Sequence, residues 1–259
     1  MSNKKHKIKY GLKLWSTDSS LFREAIELLK KGQIDFIEIY IVPDSFTLGQ
    51  NSILNIFKNI PTTIHATHME HGFDVFKLDN SKVEFFKNQI IKTADFLKSK
   101  FIVVHAEAGD SEKLFKENIK KINDPRILIE NMPKFGLEGE TCFAHNYAQL
   151  KFIRNCGFNF CLDFGHAINS ATNQNIDYKK FIEKLIFNLN PCYFHICNGK
   201  LGGKEDHRDL FDGEFDIKWI KETLLGLAEK KDIYLVFETP KGKNSLENDI
   251  KNIEYFISK

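Results

Sequence analysis

The chain has 259 residues, of which 42% are hydrophobic, enough for a sizeable core in one large domain or two small ones. Its 37 basic and 35 acidic residues leave a net charge of +2, so the overall field gives no strong attraction to nucleic acid or anionic lipid. No apolar run is long enough for a signal peptide or a membrane span, and we therefore expect a soluble, cytoplasmic protein. The five cysteines include no Cys-x-x-Cys pair, which predicts reduced, packed side chains and not a thiolate metal site.

Short apolar runs rich in β-branched and aromatic residues recur along the chain and predict eight buried strands. In chain order they are Ile8–Leu14, Asp35–Val42, Thr62–His65, Phe101–His105, Ile127–Glu130, Asn159–Asp163, Cys192–His195 and Ile233–Glu238. Between them, apolar residues recur at three- and four-residue spacing, as in Phe181, Leu185 and Leu189, which indicates helices with one buried face. Eight strand–helix units without a linker predict one α/β domain over residues 1–259, a single (β/α)8 TIM barrel.

Residues that can bind a metal stand at the ends of six predicted strands. They are His65, His105, Glu130, Asp163, His195 and Glu238. A charged or imidazole group at the end of a buried strand is costly unless solvent, a metal or a partner satisfies it. Because the carboxyl ends of barrel strands meet at one face, where the active sites of such barrels lie, we expect one shared site.

Two glutamates, an aspartate and a histidine form the central group of this site. They are Glu130, Asp163, His195 and Glu238. Such an oxygen-rich set suits Zn²⁺, Mn²⁺, Mg²⁺ or Co²⁺ and leaves room for substrate oxygens. The alternative is that each residue caps a strand or pairs with a neighbouring loop, which would explain any one of them but not all four together.

A second group consists of His65 and His105, on the strands that precede Glu130 in barrel order. The Glu130 carboxylate could therefore bridge two metal ions. The alternative is a one-metal enzyme in which these histidines hydrogen-bond to substrate hydroxyls.

A third group combines His166, three residues after Asp163, with Glu205 and His207 in a glycine-flanked loop. A carboxylate and an imidazole two residues apart on an irregular loop can face one ion. The alternative is a solvated charged loop over residues 204–209. With this group included, the sequence predicts one to three divalent ions.

Seven short motifs surround these residues. In order they are Ile64-His65-Ala66, Val104-His105-Ala106, Leu128-Ile129-Glu130-Asn131, Leu162-Asp163-Phe164-Gly165-His166-Ala167, Phe194-His195-Ile196, Asp206-His207 before Gly213-Glu214, and Phe237-Glu238-Thr239-Pro240. As a set they resemble the xylose isomerase-like TIM-barrel superfamily, which contains sugar isomerases, epimerases and endonuclease IV. The resemblance covers nearly the whole barrel and identifies the scaffold better than the reaction.

The resemblance implies that the central group binds metal in either branch of the superfamily. In the endonuclease branch, His65 and His105 match a second-metal pair. The third site of that branch is matched by His166, Glu205 and His207.

The chain departs from the endonuclease pattern at four places, one of which is the segment around Asp163, which lacks the Thr-Cys of the endonuclease signature. Glu205 stands where that pattern has an aspartate two residues before the histidine, and residues 42–45 offer no arginine to enter a DNA groove. His68 and Met69 stand where the endonuclease has an aromatic and aliphatic wedge that opens the base stack. In contrast, Glu238-Thr239-Pro240 resembles the endonuclease more than the isomerases.

We therefore expect a divalent-metal-dependent isomerase or epimerase acting on a sugar or sugar phosphate. In that reaction Glu130 and Glu238 would remove and return a proton through a metal-stabilised enediolate. Substrate-binding candidates are His65, His105, His166, Lys200 and Arg208. Lys200 and Arg208 would meet a phosphate or carboxylate, although a solvated surface explains them equally well.

The alternative function is an endonuclease IV-like multinuclear zinc phosphodiesterase that cleaves DNA at abasic sites. Nucleic acid would be a partner under this alternative only. A noncatalytic carbohydrate-binding barrel is disfavoured, because binding alone does not require so many paired ligands. The sequence leaves the oligomeric state open, including a homo-oligomer.

Overall fold

The computed structural model describes residues 7–203, 207–242 and 244–259. Eight parallel strands close into a barrel in which each pairs with the next along the chain and β8 pairs with β1. The strands are β1 (Ile8–Trp15), β2 (Phe36–Tyr40), β3 (Thr62–His65), β4 (Ile102–His105), β5 (Ile127–Glu130), β6 (Asn159–Asp163), β7 (Tyr193–Ile196) and β8 (Ile233–Phe237). Each bound lies within two residues of its prediction, and the predicted (β/α)8 barrel is confirmed.

Helices surround the barrel and connect its strands. They are α1 (Phe22–Lys30), α2 (Asn80–Phe85), α3 (Lys92–Leu97), α4 (Glu112–Ile119), α5 (Tyr147–Asn155), α6 (Phe164–Asn173), α7 (Tyr178–Leu189), α8 (Ile217–Ala228) and α9 (Glu247–Ser258). A π-helical segment, Phe86–Ile91, joins α2 to α3, and a 3-10 helix, Ile53–Phe57, lies between β2 and β3. Within the described residues, no helix has both the length and the apolar character needed to cross a membrane.

The barrel interior is filled in layers, because side chains alternate between the two faces of each strand. A lower layer is mostly apolar. It contains Phe36, Val103, Leu128, Cys161, Tyr193, Tyr234 and Val236. Gly11 makes this layer possible, since a Cβ at that position would overlap the Phe36 ring. Two residues further along several of these strands, the same inward face carries the predicted ligands, as Leu128 precedes Glu130 and Tyr193 precedes His195.

Candidate metal centre

Glu130 lies at the centre of the cluster and faces four imidazole rings. Its Oε2 lies 3.3 Å from His65 Nε2 and 3.3 Å from His105 Nε2. Its Oε1 lies 3.3 Å from His195 Nδ1 and 3.3 Å from His166 Nδ1. Each carboxylate oxygen therefore faces its own pair of histidines, and the two oxygens could bind different cations.

Glu238 joins the cluster from β8. Its Oε1 lies 2.9 Å from His195 Nδ1 and directly contacts the Lys13 ammonium group, while Oε2 lies 3.9 Å from His207 Nδ1. Lys13 Nζ is also 3.9 Å from Glu38 Oε1. The carboxylate of Glu238 is therefore shared between an imidazole and an ammonium group, both of them largely buried.

Asp163 is held at the end of β6 by its position as the N-cap of α6. Its Oδ1 accepts a hydrogen bond from the His166 N–H at 2.5 Å, which satisfies one of the free donors at the start of the helix. Asn131 accepts from the Asp163 N–H at 2.7 Å and donates to the Asp163 carbonyl at 3.0 Å. These bonds fix the ends of β5 and β6 against each other.

The third predicted group is only partly described. The rings of His166 and His207 lie 6.4 Å apart, and His166 Nδ1 lies 2.8 Å from the Asn131 carbonyl oxygen. Glu205 lies outside the described residues. The structure thus brings two members of this group to the same side of the cluster.

Four buried atoms of the cluster make no hydrogen bond of good geometry among the described residues. They are Glu38 Oε1, His65 Nε2, Glu130 Oε2 and Asp163 Oδ2, of which His65 Nε2 and Glu130 Oε2 face each other at 3.3 Å. A buried polar atom left unsatisfied costs about 1–3 kcal/mol, so the arrangement calls for a further group between these side chains. Several groups of neighbouring imidazole nitrogens and carboxylate oxygens lie close enough together to hold a metal ion. One such group consists of His65, His105 and Glu130. The residues present therefore fit a divalent cation.

The charges of the cluster support the same conclusion. The described part of the cluster contains four buried carboxylates and one ammonium group, that of Lys13. The carboxylates belong to Glu38, Glu130, Asp163 and Glu238. Burial would raise the pKa of Glu130 and of Glu238, but His195 and His105 lower the pKa of Glu130 well below the usual range, and His195 and Lys13 do the same for Glu238, so both are ionised. Burial opposes a charge on His195, yet the Cys161 thiol and the surrounding carboxylates raise its pKa well above the usual value. In the metal-free protein, protons on His195 and His105 balance part of the carboxylate charge, and a divalent cation would replace protons of these imidazoles.

A cavity of about 1030 Å³ opens above the cluster. Of the four residues predicted as central ligands, only Glu238 is among the residues that line it, whereas Glu130 is fully buried behind the histidines. His105, His166 and His207 also line the cavity, and Trp15 and Tyr40 form an aromatic side with ring centroids 4.9 Å apart. Lys200 and Arg208, which the sequence analysis suggested as substrate-binding residues, are not among the residues that line the cavity.

The described wall of the cavity carries more acidic than basic side chains. Its carboxylates are Asp18, Glu70, Glu107, Glu138, Glu140 and Glu238. Its lysines are Lys13, which contacts Glu238, and Lys241, which contacts Asp249. Both ammonium groups are therefore already paired with carboxylates.

Three charged residues near the cluster were not found from the sequence. Lys13 lies inside β1 and Glu38 lies inside β2. For Glu38, the available signal in the sequence was a charged residue within the otherwise apolar run Ile37–Tyr40. Glu107 follows β4 with a left-handed backbone (φ 61°) and lines the cavity. Burial raises the pKa of Glu107 to about 7. No spacing rule for ligands points to any of the three.

Comparison with known proteins agrees with this geometry. The sequence model of the xylose isomerase-like TIM-barrel family matches residues 15–258. The chain belongs to this family. A search of curated proteins finds no match.

Solved structures similar to this family member include proteins of both functional branches. One is endonuclease IV from Thermus thermophilus, with a TM-score of 0.72, 18% identity, and coverage of 96% of this chain and 98% of that one. Another is a D-tagatose 3-epimerase-like protein, with a TM-score of 0.69, 17% identity and coverage of 96% of both chains. IOLI protein, solved with a bound zinc atom, has a TM-score of 0.62, 13% identity and coverage of 96% of both chains. At these identities the likeness shows the fold and leaves the reaction open.

Proposed function

We propose that the protein is a divalent-metal-dependent isomerase that interconverts an aldose and a ketose. The observation that carries the proposal is that Glu238 is the one central ligand lining the cavity. A single base that removes a proton and returns it to the neighbouring carbon on the same face achieves this interconversion. Epimerisation needs proton delivery to the opposite face, and Glu130, the other expected proton carrier, is fully buried among four imidazoles.

In this proposal the roles of the residues follow from their positions. Glu238 accepts the proton from the substrate carbon and returns it to the adjacent one. His105, His166 and His207 line the cavity and would hydrogen-bond to substrate oxygens. A cation held by the central group would supply Lewis-acid polarisation of the substrate carbonyl. Glu130, which is fully buried among four imidazoles and does not line the cavity, would serve as a ligand and not as a proton carrier.

The cavity wall favours a neutral polyol over a polyanion. Six carboxylates and two paired lysines on the described wall would repel a phosphodiester backbone, which proteins usually bind with unpaired Lys and Arg. The aromatic side formed by Trp15 and Tyr40 suits the apolar face of a sugar. We therefore propose an unphosphorylated sugar as the substrate.

One observation favours the phosphodiesterase as a second candidate. His65, His105 and Glu130 form a complete second ligand group in which His65 Nε2 and Glu130 Oε2 make no hydrogen bond of good geometry among the described residues. The sharing of Glu130 between two sites suits a reaction that needs more than one ion.

The test is solvent deuterium exchange followed by NMR. Protein loaded with Mn²⁺, Co²⁺ or Zn²⁺ is incubated in D₂O with a panel of aldoses and ketoses, and the expected result is interconversion with label at one carbon. Glu238→Gln should abolish the exchange, whereas Glu70→Gln, at a cavity carboxylate that is 63% exposed, should retain it. A parallel assay measures nicking of an abasic duplex. Nicking at catalytic protein concentration, with no sugar exchanged, would replace the isomerase by the phosphodiesterase.

A further inference from the structure

Glu38 is a fully buried carboxylate that does not line the cavity, and one of its oxygens lies within 4.8 Å of ligand atoms of His65, His195 and Glu238. Its Oε2 accepts a hydrogen bond from the Tyr193 hydroxyl at 2.6 Å and lies 3.1 Å from His195 Nε2. The Tyr193 hydroxyl is in turn 2.7 Å from the Thr63 hydroxyl. These groups form a buried chain that ends on the imidazole of His195.

The two nitrogens of His195 face different partners. Nε2 faces Glu38, and Nδ1 faces Glu130 at 3.3 Å and Glu238 at 2.9 Å. A neutral imidazole carries one proton, and the nitrogen that holds it is set by the stronger acceptor. With a cation at the central site, Glu130 and Glu238 would bind the cation, so Glu38 would be the carboxylate that holds the Nε2 proton, and the Nδ1 lone pair would face the cation. The Cys161 thiol, which also lies close to His195, is a far weaker acceptor than a carboxylate.

We propose that Glu38, held by Tyr193, is a positioning residue that fixes the ring orientation and tautomer of His195 so that Nδ1 serves the central metal site. The inference rests on the metal site of the proposed function but not on the identity of the reaction. Carboxylate partners of this kind contribute about 10- to 100-fold to metal affinity in other proteins. Glu38 thus contributes to metal binding through His195.

The chain offers a closely matched control. Tyr193 and Tyr234 are register partners on β7 and β8, and their rings stack with centroids 6.1 Å apart. The Tyr234 hydroxyl, however, accepts from Lys9 at 3.1 Å and Lys100 at 2.6 Å and not from the cluster. Tyr193→Phe and Tyr234→Phe therefore remove the same atom from the same layer, and only the first change affects Glu38.

The experiment measures the affinity of each full-length variant for Zn²⁺ by competition with a chromophoric chelator, without substrate. It also records the visible absorption of the Co²⁺-loaded proteins, because these bands report ligand geometry and do not depend on activity. Glu38→Gln should lower Zn²⁺ affinity by about 10- to 100-fold and change the Co²⁺ bands. Tyr193→Phe should show a smaller loss in the same direction, and Tyr234→Phe should match the wild type.

Three outcomes would overturn the inference. One is that Tyr193→Phe binds Zn²⁺ as tightly as the wild type. This outcome would overturn the inference even if Glu38→Gln did not fold. A second is an equal loss in Tyr193→Phe and Tyr234→Phe, which would indicate general damage to the layer. The third is complete loss of Co²⁺ binding in Glu38→Gln with an unchanged Tyr193→Phe, which would make Glu38 itself a ligand. Failure of the wild type to bind metal would instead refute the metal site of the proposed function.

Discussion

Glu107→Gln should stabilise the metal-free protein, and the gain should grow with pH. Burial raises the pKa of the folded-state carboxyl to about 7, from 4.5 for an exposed glutamate. Between these values the folded chain holds a proton that the unfolded chain releases, so the free energy of unfolding falls as the pH rises through this window. Glutamine carries no charge in either state and removes that loss, while its Oε1 can still accept from the Met69 N–H, which lies 3.0 Å from the glutamate oxygen.

The magnitude follows from the separation of the two pKa values. At about 1.4 kcal/mol for each pH unit, the variant should exceed the wild type by about 3 kcal/mol above pH 8 and by about 1 kcal/mol at pH 5. Urea unfolding at a series of pH values in the presence of a chelator measures this difference. Glu70→Gln, at a side chain that is 63% exposed, is the control and should show no such trend. A difference between Glu107→Gln and wild type that does not change with pH would refute the reasoning.

Two further predictions concern the cluster. Lys13→Met should destabilise the metal-free protein by about 3 kcal/mol, because Glu238 loses a buried partner. The control is Lys7→Met at the exposed Lys7–Asp35 pair, which should lower the free energy of unfolding by less than about 1 kcal/mol. Zn²⁺ should then raise the Tm of Lys13→Met more than that of the wild type, since the cation no longer displaces an ammonium group; a smaller rise would show that Lys13 assists metal binding. Under the isomerase proposal, His105→Ala and His207→Ala should mainly raise KM, and metal titration with kinetics checks this. Loss of one metal equivalent together with collapse of kcat in either variant would favour the phosphodiesterase.

The barrel was predictable because both faces of its strands are buried. Runs such as Ile127–Glu130 are continuously apolar up to a final polar residue, and that residue marks the carboxyl end of the strand. Strand ends of a closed parallel barrel meet at one face, so the convergence of His65, His105 and Glu130 follows from their places in the chain. The fold and the meeting of these side chains at one face could thus be deduced without coordinates.

The groups behind and beside the ligands could not be deduced in the same way. Glu38 meets His195 across the barrel, 157 residues away in the chain, and that contact depends on which strands face each other. Whether a ligand carboxylate faces the cavity or lies behind it, as with Glu238 and Glu130, depends on packing that strand patterns do not encode. The placement of Lys200 and Arg208 away from the described cavity wall likewise depends on the path of a loop.

The reaction is decided by residues outside the ligand frame. The ends of the strands place the candidate ligands, whereas the loops after the strands set what reaches the site, so one fold can support different reactions. In this chain the segment between β5 and α5 contributes Glu138 and Glu140 to the cavity wall, and Trp15 ends β1 on the aromatic side. A phosphodiester would have to pass these carboxylates, while a neutral sugar would not be repelled by them. The loops therefore favour the isomerase even though the ligand frame is compatible with both reactions.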